Sequence, residues 1–139
     1  MSREIVFRGK SKRNGEWLYG DLLRNVEGTF AIVPPFEIDL HNHCERYEVD
    51  ENTIGQFTGL FDKNGNEIYE GDIIGCHNLE IKHLIFYNEN EGRFMAALNG
   101  DIENYFVGVC GLDNKRWNAS KEVIGNIHDN PELLKGGEK

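Results

Sequence analysis

The residues best suited to chemistry in this sequence cluster around two histidines. His41, His43 and Cys44 lie within four positions of one another, in a stretch that is otherwise polar and acidic. Imidazole, thiolate and carboxylate groups are the usual zinc ligands, and on a strand His41 and His43 would share one face. Neither Cys-x-x-Cys nor His-Glu-x-x-His spacing occurs, however. We therefore expect no metal or other cofactor; His41, His43 and Cys44 are the candidate ligands of an alternative, a metal-dependent enzyme.

Two carboxylates near the middle of the chain are the other candidates for chemistry. Glu70 and Asp72 flank Gly71, and either could act as a general acid or base. Such catalysis needs a partner group and a shifted pKa, and the sequence indicates neither. A Gly-Asp pair is also typical of a turn in which the carboxylate accepts a backbone N–H. We favour the turn, expect no catalytic residue and interpret the chain as a non-enzymatic protein.

The charge balance argues against binding to duplex DNA. The chain carries 24 acidic and 15 basic residues, a net charge of −9, whereas non-specific DNA binding comes mainly from Lys and Arg. The basic residues cluster only near the N-terminus, at Arg3, Arg8, Lys10, Lys12 and Arg13. Together with exposed aromatic rings they would support a second alternative, a nucleic-acid-binding β-barrel. We expect most of the rings to pack in the core instead.

Composition also predicts where the protein resides. No apolar stretch approaches the roughly 18 residues of a membrane span, and the N-terminus lacks the apolar core of a secretory signal. Cys44, Cys76 and Cys110 are an odd number at wide spacing, which is typical of free thiols in a reducing compartment. We expect a protein of the bacterial cytoplasm with no membrane partner.

The candidate residues named above lie in or between short β-prone runs that are separated by tight turns. Asn-Gly pairs, the strongest short hairpin signal, occur at 14–15, 64–65 and 99–100. The segment 129–134 predicts a short helical turn, with a polar cap followed by Pro131. The pattern predicts a mainly β fold, a small partly open β-barrel or sandwich. We expect one domain over residues 1–134 and a flexible tail over 135–139.

Two stretches of the chain resemble each other. Residues 14–23 and 64–74 each contain Asn-Gly, a Tyr five residues after the Asn, then Gly-Asp and two aliphatic residues, and the second has the extra residue Glu70. A duplicated hairpin is one interpretation. We favour the other, that tight-turn β proteins reuse similar residues, because repeats are convincing only with at least three copies.

Three motifs connect the chain to a known family. They are REIVFR at residues 3–8, IGQFTGLFDKNGNEIYEGDII at 54–74 and VIGNIHDNPELL at 123–134. In order and spacing they resemble the YopX family of phage and prophage proteins over nearly the whole chain. The resemblance implies a bacterial mobile-element setting and carries over no catalytic residue. Residues 36–51 and 88–112 match no motif, so these are the segments where any activity particular to this protein is expected.

The function that we predict is that of a phage-type accessory protein acting by protein binding or self-association. Uncharged β-prone runs at 29–33 and 105–109 would be poorly protected if they lay at a sheet edge, and pairing across a two-fold axis is the commonest way to cover such a surface. We therefore expect a homo-oligomer, together with a protein partner that the sequence does not identify.

Overall fold

In the part of the chain that the structure describes, the fold consists of eleven short strands and a few helical turns. The computed structural model describes residues 4–34, 44–76, 81–103, 106–108 and 121–135. The chain divides into two compact units, residues 1–57 and 58–139. The predicted mainly β fold is confirmed. The strands form two antiparallel sheets with open strand orders, so the barrel is not closed.

The first sheet contains the first six strands in the order β4-β3-β2-β1-β5-β6. The strands are β1 (Phe7–Lys10), β2 (Trp17–Arg24), β3 (Phe30–Val33), β4 (Glu48–Val49), β5 (Gly55–Phe61) and β6 (Glu67–Tyr69). Short 3-10 turns at Cys44–Tyr47 and Glu51–Thr53 precede and follow β4. Asp50 begins the second turn by accepting the backbone N–H of Asn52 at 3.0 Å, a standard side-chain cap.

The second sheet has the order β10-β9-β8-β7-β11. Its strands are β7 (Asp72–Cys76), β8 (Ile81–Asn88), β9 (Arg93–Leu98), β10 (Phe106–Gly108) and β11 (Glu122–Asn126), and one helical turn, α1 (Glu132–Lys135), follows. The predicted helical turn is therefore present, and it includes Lys135, the first residue of the predicted tail. Strand β11 pairs with β7 through a register shift between Val123 and Gly125.

Each unit buries its own apolar side chains. In residues 1–57, Ile32 and Val49 are fully buried, and Gly9 packs so closely on Val49 that an added Cβ would lie 3.1 Å from it. In residues 58–139 the core contains Leu60, Ile68, Ile74, Ile85 and Ala96, with Phe94 and Val123 packed against them. Strand β9 contributes Phe94 and Ala96, two positions apart and therefore on one face of the strand.

The two stretches that resemble each other in sequence adopt different structures. The first lies in the single continuous strand β2 and its preceding turn, whereas the second forms β6, a turn at Glu70-Gly71 and β7. Gly71 has a φ of +94°, a value that side chains disfavour. The extra residue Glu70 therefore accompanies a chain reversal that the first stretch lacks. This difference favours the interpretation that similar turn residues are reused over that of a duplicated hairpin.

Candidate functional site

The predicted metal ligands fall largely outside the described part of the chain. His41 and His43 lie in the gap between residues 34 and 44, and only the backbone of Cys44 is described. Among the described residues, no three His, Cys, Asp or Glu side chains are grouped so as to hold a metal ion. The absence of a bound metal stays a prediction. No helix in the described ranges is long and apolar enough to cross a membrane.

Asp72 holds the turn that its sequence predicts. Its side chain is buried, and Oδ2 accepts the backbone N–H of Tyr69 at 2.7 Å. Within the same turn, Gly71 donates its N–H to the carbonyl of Ile85 at 2.7 Å. The structural interpretation of Asp72 is therefore supported by its contacts, because a carboxylate in this position stabilises the entry into β7.

The basic residues near the N-terminus contact their own unit. Arg8 is only 5% exposed, and its guanidinium carbon lies 4.6 Å from the centroid of the Trp17 ring. Lys10 approaches the same ring to 5.5 Å, and Lys12 forms an ion pair with Glu48 at 3.1 Å. These geometries are those of cation–π and surface ion-pair contacts. A guanidinium buried in this way is poorly placed to meet a phosphate backbone.

The aromatic residues divide between core and surface. Phe57 and Tyr69 are buried, whereas Tyr19, Phe61 and Tyr87 are exposed. Tyr87 still contacts Phe94 edge to face, with the ring centroids 5.3 Å apart. Trp17, Phe86 and Phe94 are half-buried, and Phe94 packs against the core.

Sequence reasoning missed a second structural carboxylate, Asp62. The side chain is 2% exposed. Oδ1 accepts the backbone N–H groups of Asn64 and Asn66, at 2.9 and 2.8 Å. Oδ2 accepts the side-chain amide of Asn66 at 3.2 Å and the N–H of Val123 at 3.0 Å. The sequence indicates the tight turn, but it gives no sign that Asp62 also binds the start of β11.

In the part of the chain that the structure describes, an open cleft lies at the end of β8. Its volume is about 470 Å³, within the range of ordinary ligand pockets. The cleft is lined by Phe86, Tyr87, Asn88, Glu89, Asn90, Ile102 and Glu103. All of these residues belong to the unit 58–139. Phe86 and Tyr87 directly precede the stretch 88–112 and the others lie within it, and this is one of the two stretches where any activity particular to this protein is expected. We call this feature the β8 cleft.

One wall of the β8 cleft is formed by the turn between β8 and β9. Asn88 is buried, and its Oδ1 accepts the N–H groups of Asn90 and Glu91 at 2.9 and 3.1 Å. Its carbonyl accepts the N–H of Gly92 at 2.7 Å. These bonds, typical of an Asx turn, fix the backbone that carries Glu89 and Asn90.

The opposite wall follows the end of β9. Asn99 and Gly100 have φ values of +53° and +83°, the pair of positive values expected of an Asn-Gly turn. Asp101 then donates its N–H to the carbonyl of Leu98 at 3.0 Å, and its Oδ1 accepts the N–H of Glu103 at 3.3 Å. The third predicted Asn-Gly turn is thus present, and it directs Ile102 and Glu103 to the cleft.

The chemistry of the β8 cleft is apolar and anionic. Phe86 and Ile102 supply apolar surface, Asn88 and Asn90 supply amides, and Glu89 and Glu103 supply carboxylates. Ile102 is 47% and Tyr87 43% exposed, so a bound molecule would remove apolar area from water. The lining residues suit recognition of a partly apolar, cationic group.

The described strands place the chain in the class of mainly β proteins built from two antiparallel sheets. A model of the YopX protein family matches residues 6–135. The chain therefore belongs to the YopX family, and the resemblance seen in its motifs is confirmed.

A solved structure supports the same fold. The chain resembles the crystal structure of protein EF1440 from Enterococcus faecalis with 29% sequence identity and a TM-score of 0.58. The similarity covers 95% of this chain and 99% of that one. A search of curated proteins found no match.

Proposed function

We propose that this chain is a phage- or prophage-type accessory protein that acts by binding a protein partner or a second copy of itself, and that it is not an enzyme. Membership of the YopX family supports the mobile-element setting. The observation that carries the binding role is the β8 cleft, in which exposed apolar side chains and carboxylates lie together on turns fixed by hydrogen bonds.

The contacts of the other candidate residues favour binding over catalysis. Asp62 and Asp72 are buried and accept backbone N–H groups, which is a structural task. By contrast, Ile102 and Tyr87 leave apolar surface in water, and burial of such surface is worth about 25 cal/mol per Å². Aromatic and aliphatic anchors with a polar rim are the usual composition of a protein interface.

Affinity capture from bacteria that carry the encoding element tests the proposal. The full chain, tagged at either end in separate experiments, is expected to retain the same protein in near-stoichiometric amount, or to retain an untagged copy of itself. The proposal fails if neither tag position retains a protein and light scattering gives the mass of one chain.

A further inference from the structure

We infer that the β8 cleft binds an arginine side chain on a protein partner. This inference rests on the proposed protein-binding function and names the chemistry of the partner. Phe86 and Ile102 provide the apolar surface of the cleft, and Glu89 and Glu103 provide its charge. None of the described residues that line the cleft is cationic, so its two carboxylates favour a positively charged occupant.

The two carboxylates are available to such an occupant. Their neighbour Glu91 is already engaged, because its Oε1 accepts Arg93 Nη2 at 2.9 Å and Nε at 3.1 Å. Within the described ranges, no hydrogen bond or ion pair engages the carboxylate of Glu89 or of Glu103. The net charge of −9 adds a field that attracts cations to this surface.

Arginine suits the cleft better than lysine does. Its guanidinium is planar, stacks on aromatic rings and can bind a carboxylate through two N–H groups, whereas an ammonium is compact and strongly hydrated. The protein itself contains such a contact, since the Arg8 guanidinium lies 4.6 Å from the Trp17 centroid. Phe86 and Tyr87 line the cleft together with Glu89.

The cleft is also held in place before anything binds. Asn88 fixes one turn through three hydrogen bonds. On the other side, Gly100 packs against Leu134 so closely that an added Cβ would lie 3.0 Å from its Cδ1. A site whose walls are already ordered loses less conformational entropy on binding.

Peptide titration tests the inference. The probes are acetyl-Gly-Ala-Arg-Ala-Gly-amide and the same peptide with citrulline, the neutral isostere, in place of arginine. We expect the arginine peptide to shift the backbone amide resonances of residues 86–90 and 101–103 saturably, with a Kd on the order of 1 mM. The citrulline peptide is expected not to do so. Equal binding of the two peptides, or no saturable shift, would overturn the inference.

A matched pair of variants assigns the effect to the cleft. Glu89→Gln combined with Glu103→Gln is expected to weaken arginine-peptide binding about three- to tenfold, the loss of two partly exposed ion pairs. The control combines Glu16→Gln with Glu27→Gln, two exposed acids outside the cleft that change the net charge equally. An equal loss in both variants would mean that only the overall charge matters and would refute the site.

The same variants separate this inference from the proposed function. If the Glu89→Gln, Glu103→Gln protein still captures the cellular partner at the wild-type level, the arginine site is wrong although protein binding stands. If the wild-type protein captures nothing and has the mass of one chain while the peptide titration succeeds, the proposed function fails and the cation-binding cleft remains.

Discussion

At the residue scale, buried polar groups determine how this protein responds to pH. Burial alone would raise the pKa of Asp62, but hydrogen bonds from the backbone of Val123, Asn66 and Asn64 and from the Asn66 side chain favour the carboxylate. The pKa of Asp62 therefore lies below its ordinary value of 3.8. The charged form of this group stabilises the fold because the unfolded chain offers it no such donors.

Asp62→Asn is expected to lower the free energy of unfolding by roughly 1.5–3 kcal/mol at pH 7, the range for hydrogen bonds to a charged group. The replacement keeps one acceptor oxygen and directs an NH₂ toward the N–H of Val123. Urea denaturation measures the change, with Asp21→Asn, at an exposed position, as the control.

The pH dependence of the Asp62→Asn effect provides a second readout. A carboxylate with a lowered pKa contributes its full stabilisation above about pH 4 and loses it as the pH falls through the folded pKa. The difference between wild type and Asp62→Asn should therefore shrink in acid. A difference that is constant from pH 7 to pH 2 would contradict this explanation.

His83 is expected to titrate below its ordinary pKa of 6.5. Burial lowers the pKa of His83, and the positive charge of Lys121 lowers it further. In the sheet, His83 lies opposite Ile74 of β7 and opposite Leu98 of β9. Its Nδ1 is buried and has no hydrogen-bond partner in the described ranges. NMR titration of the ring proton measures the pKa, which Lys121→Gln should raise toward 6.5.

The stability linked to His83 follows from the same shift. The folded state favours the neutral His83 ring. The contribution of this ring to the free energy of unfolding is therefore complete above about pH 6.5 and is lost as the pH falls toward the pKa of the folded state. His83→Gln should reduce the fall in unfolding free energy across that interval. If the unfolding free energy of wild type and of His83→Gln falls equally with pH across this interval, groups other than His83 control the pH dependence.

Local residue roles could be predicted from sequence, and distant ones could not. The Gly71-Asp72 turn is local, so residue types suffice to indicate it. The bond from Val123 to Asp62 joins positions 61 apart, and the stacking of Arg8 on Trp17 depends on the pairing of β1 with β2. The β8 cleft depends on two turns whose proximity no local pattern encodes.

At the scale of elements, alternation and turn residues predict most strands. The β-prone runs beside the Asn-Gly pairs at 64–65 and 99–100 form strands β6 and β9. At 14–15 the hairpin is present, but only Gly15 has a positive φ, so it is not the turn in which both residues of an Asn-Gly pair have positive φ. The loop from Ser11 to Glu16 is closed instead by bonds from Ser11 N–H to Glu16 and from Gly15 N–H to Ser11.

Gly20→Ala should destabilise the first sheet severely. A Cβ at Gly20 would lie 2.1 Å from the carbonyl oxygen of Val33, on the paired strand β3. The backbone of β2 or β3 must move, so we expect a loss of about 2 kcal/mol or more. Gly28→Asn is the control, because Gly28 has no neighbour within 4 Å of such a Cβ and Asn tolerates positive φ. If Gly20→Ala and Gly28→Asn shift the urea midpoint equally, the close approach of Gly20 to Val33 is contradicted.

At the scale of the whole molecule, the described sheets leave strands at their margins. Strand β10 (Phe106–Gly108) ends the order of the second sheet, whereas β3 lies between β2 and β4. Residues 29–33 therefore do not lie at an edge of the described sheet, because β4 pairs with Phe30 and Ala31. The argument for self-association now depends on β10, whose sequence Phe-Val-Gly carries no charge to protect an edge.

Light scattering coupled to size exclusion is expected to give a mass above that of one chain at tens of micromolar protein. Pairing of β10 across a two-fold axis would hydrogen-bond its outer N–H and C=O groups. The mass should fall toward one chain on dilution if the contact is weak. One-chain mass at every concentration would show that this protein does not associate with itself.

Photo-crosslinking in the cell tests the central claim, action through protein contact, most directly. A photoreactive amino acid replaces Asn90 at the β8 cleft or, as the control, Val26, which is fully exposed in the other unit. We predict that irradiation at position 90 gives a discrete adduct that protease destroys and nuclease does not, and that position 26 gives none. A nuclease-sensitive adduct, or no adduct specific to position 90, would contradict the account.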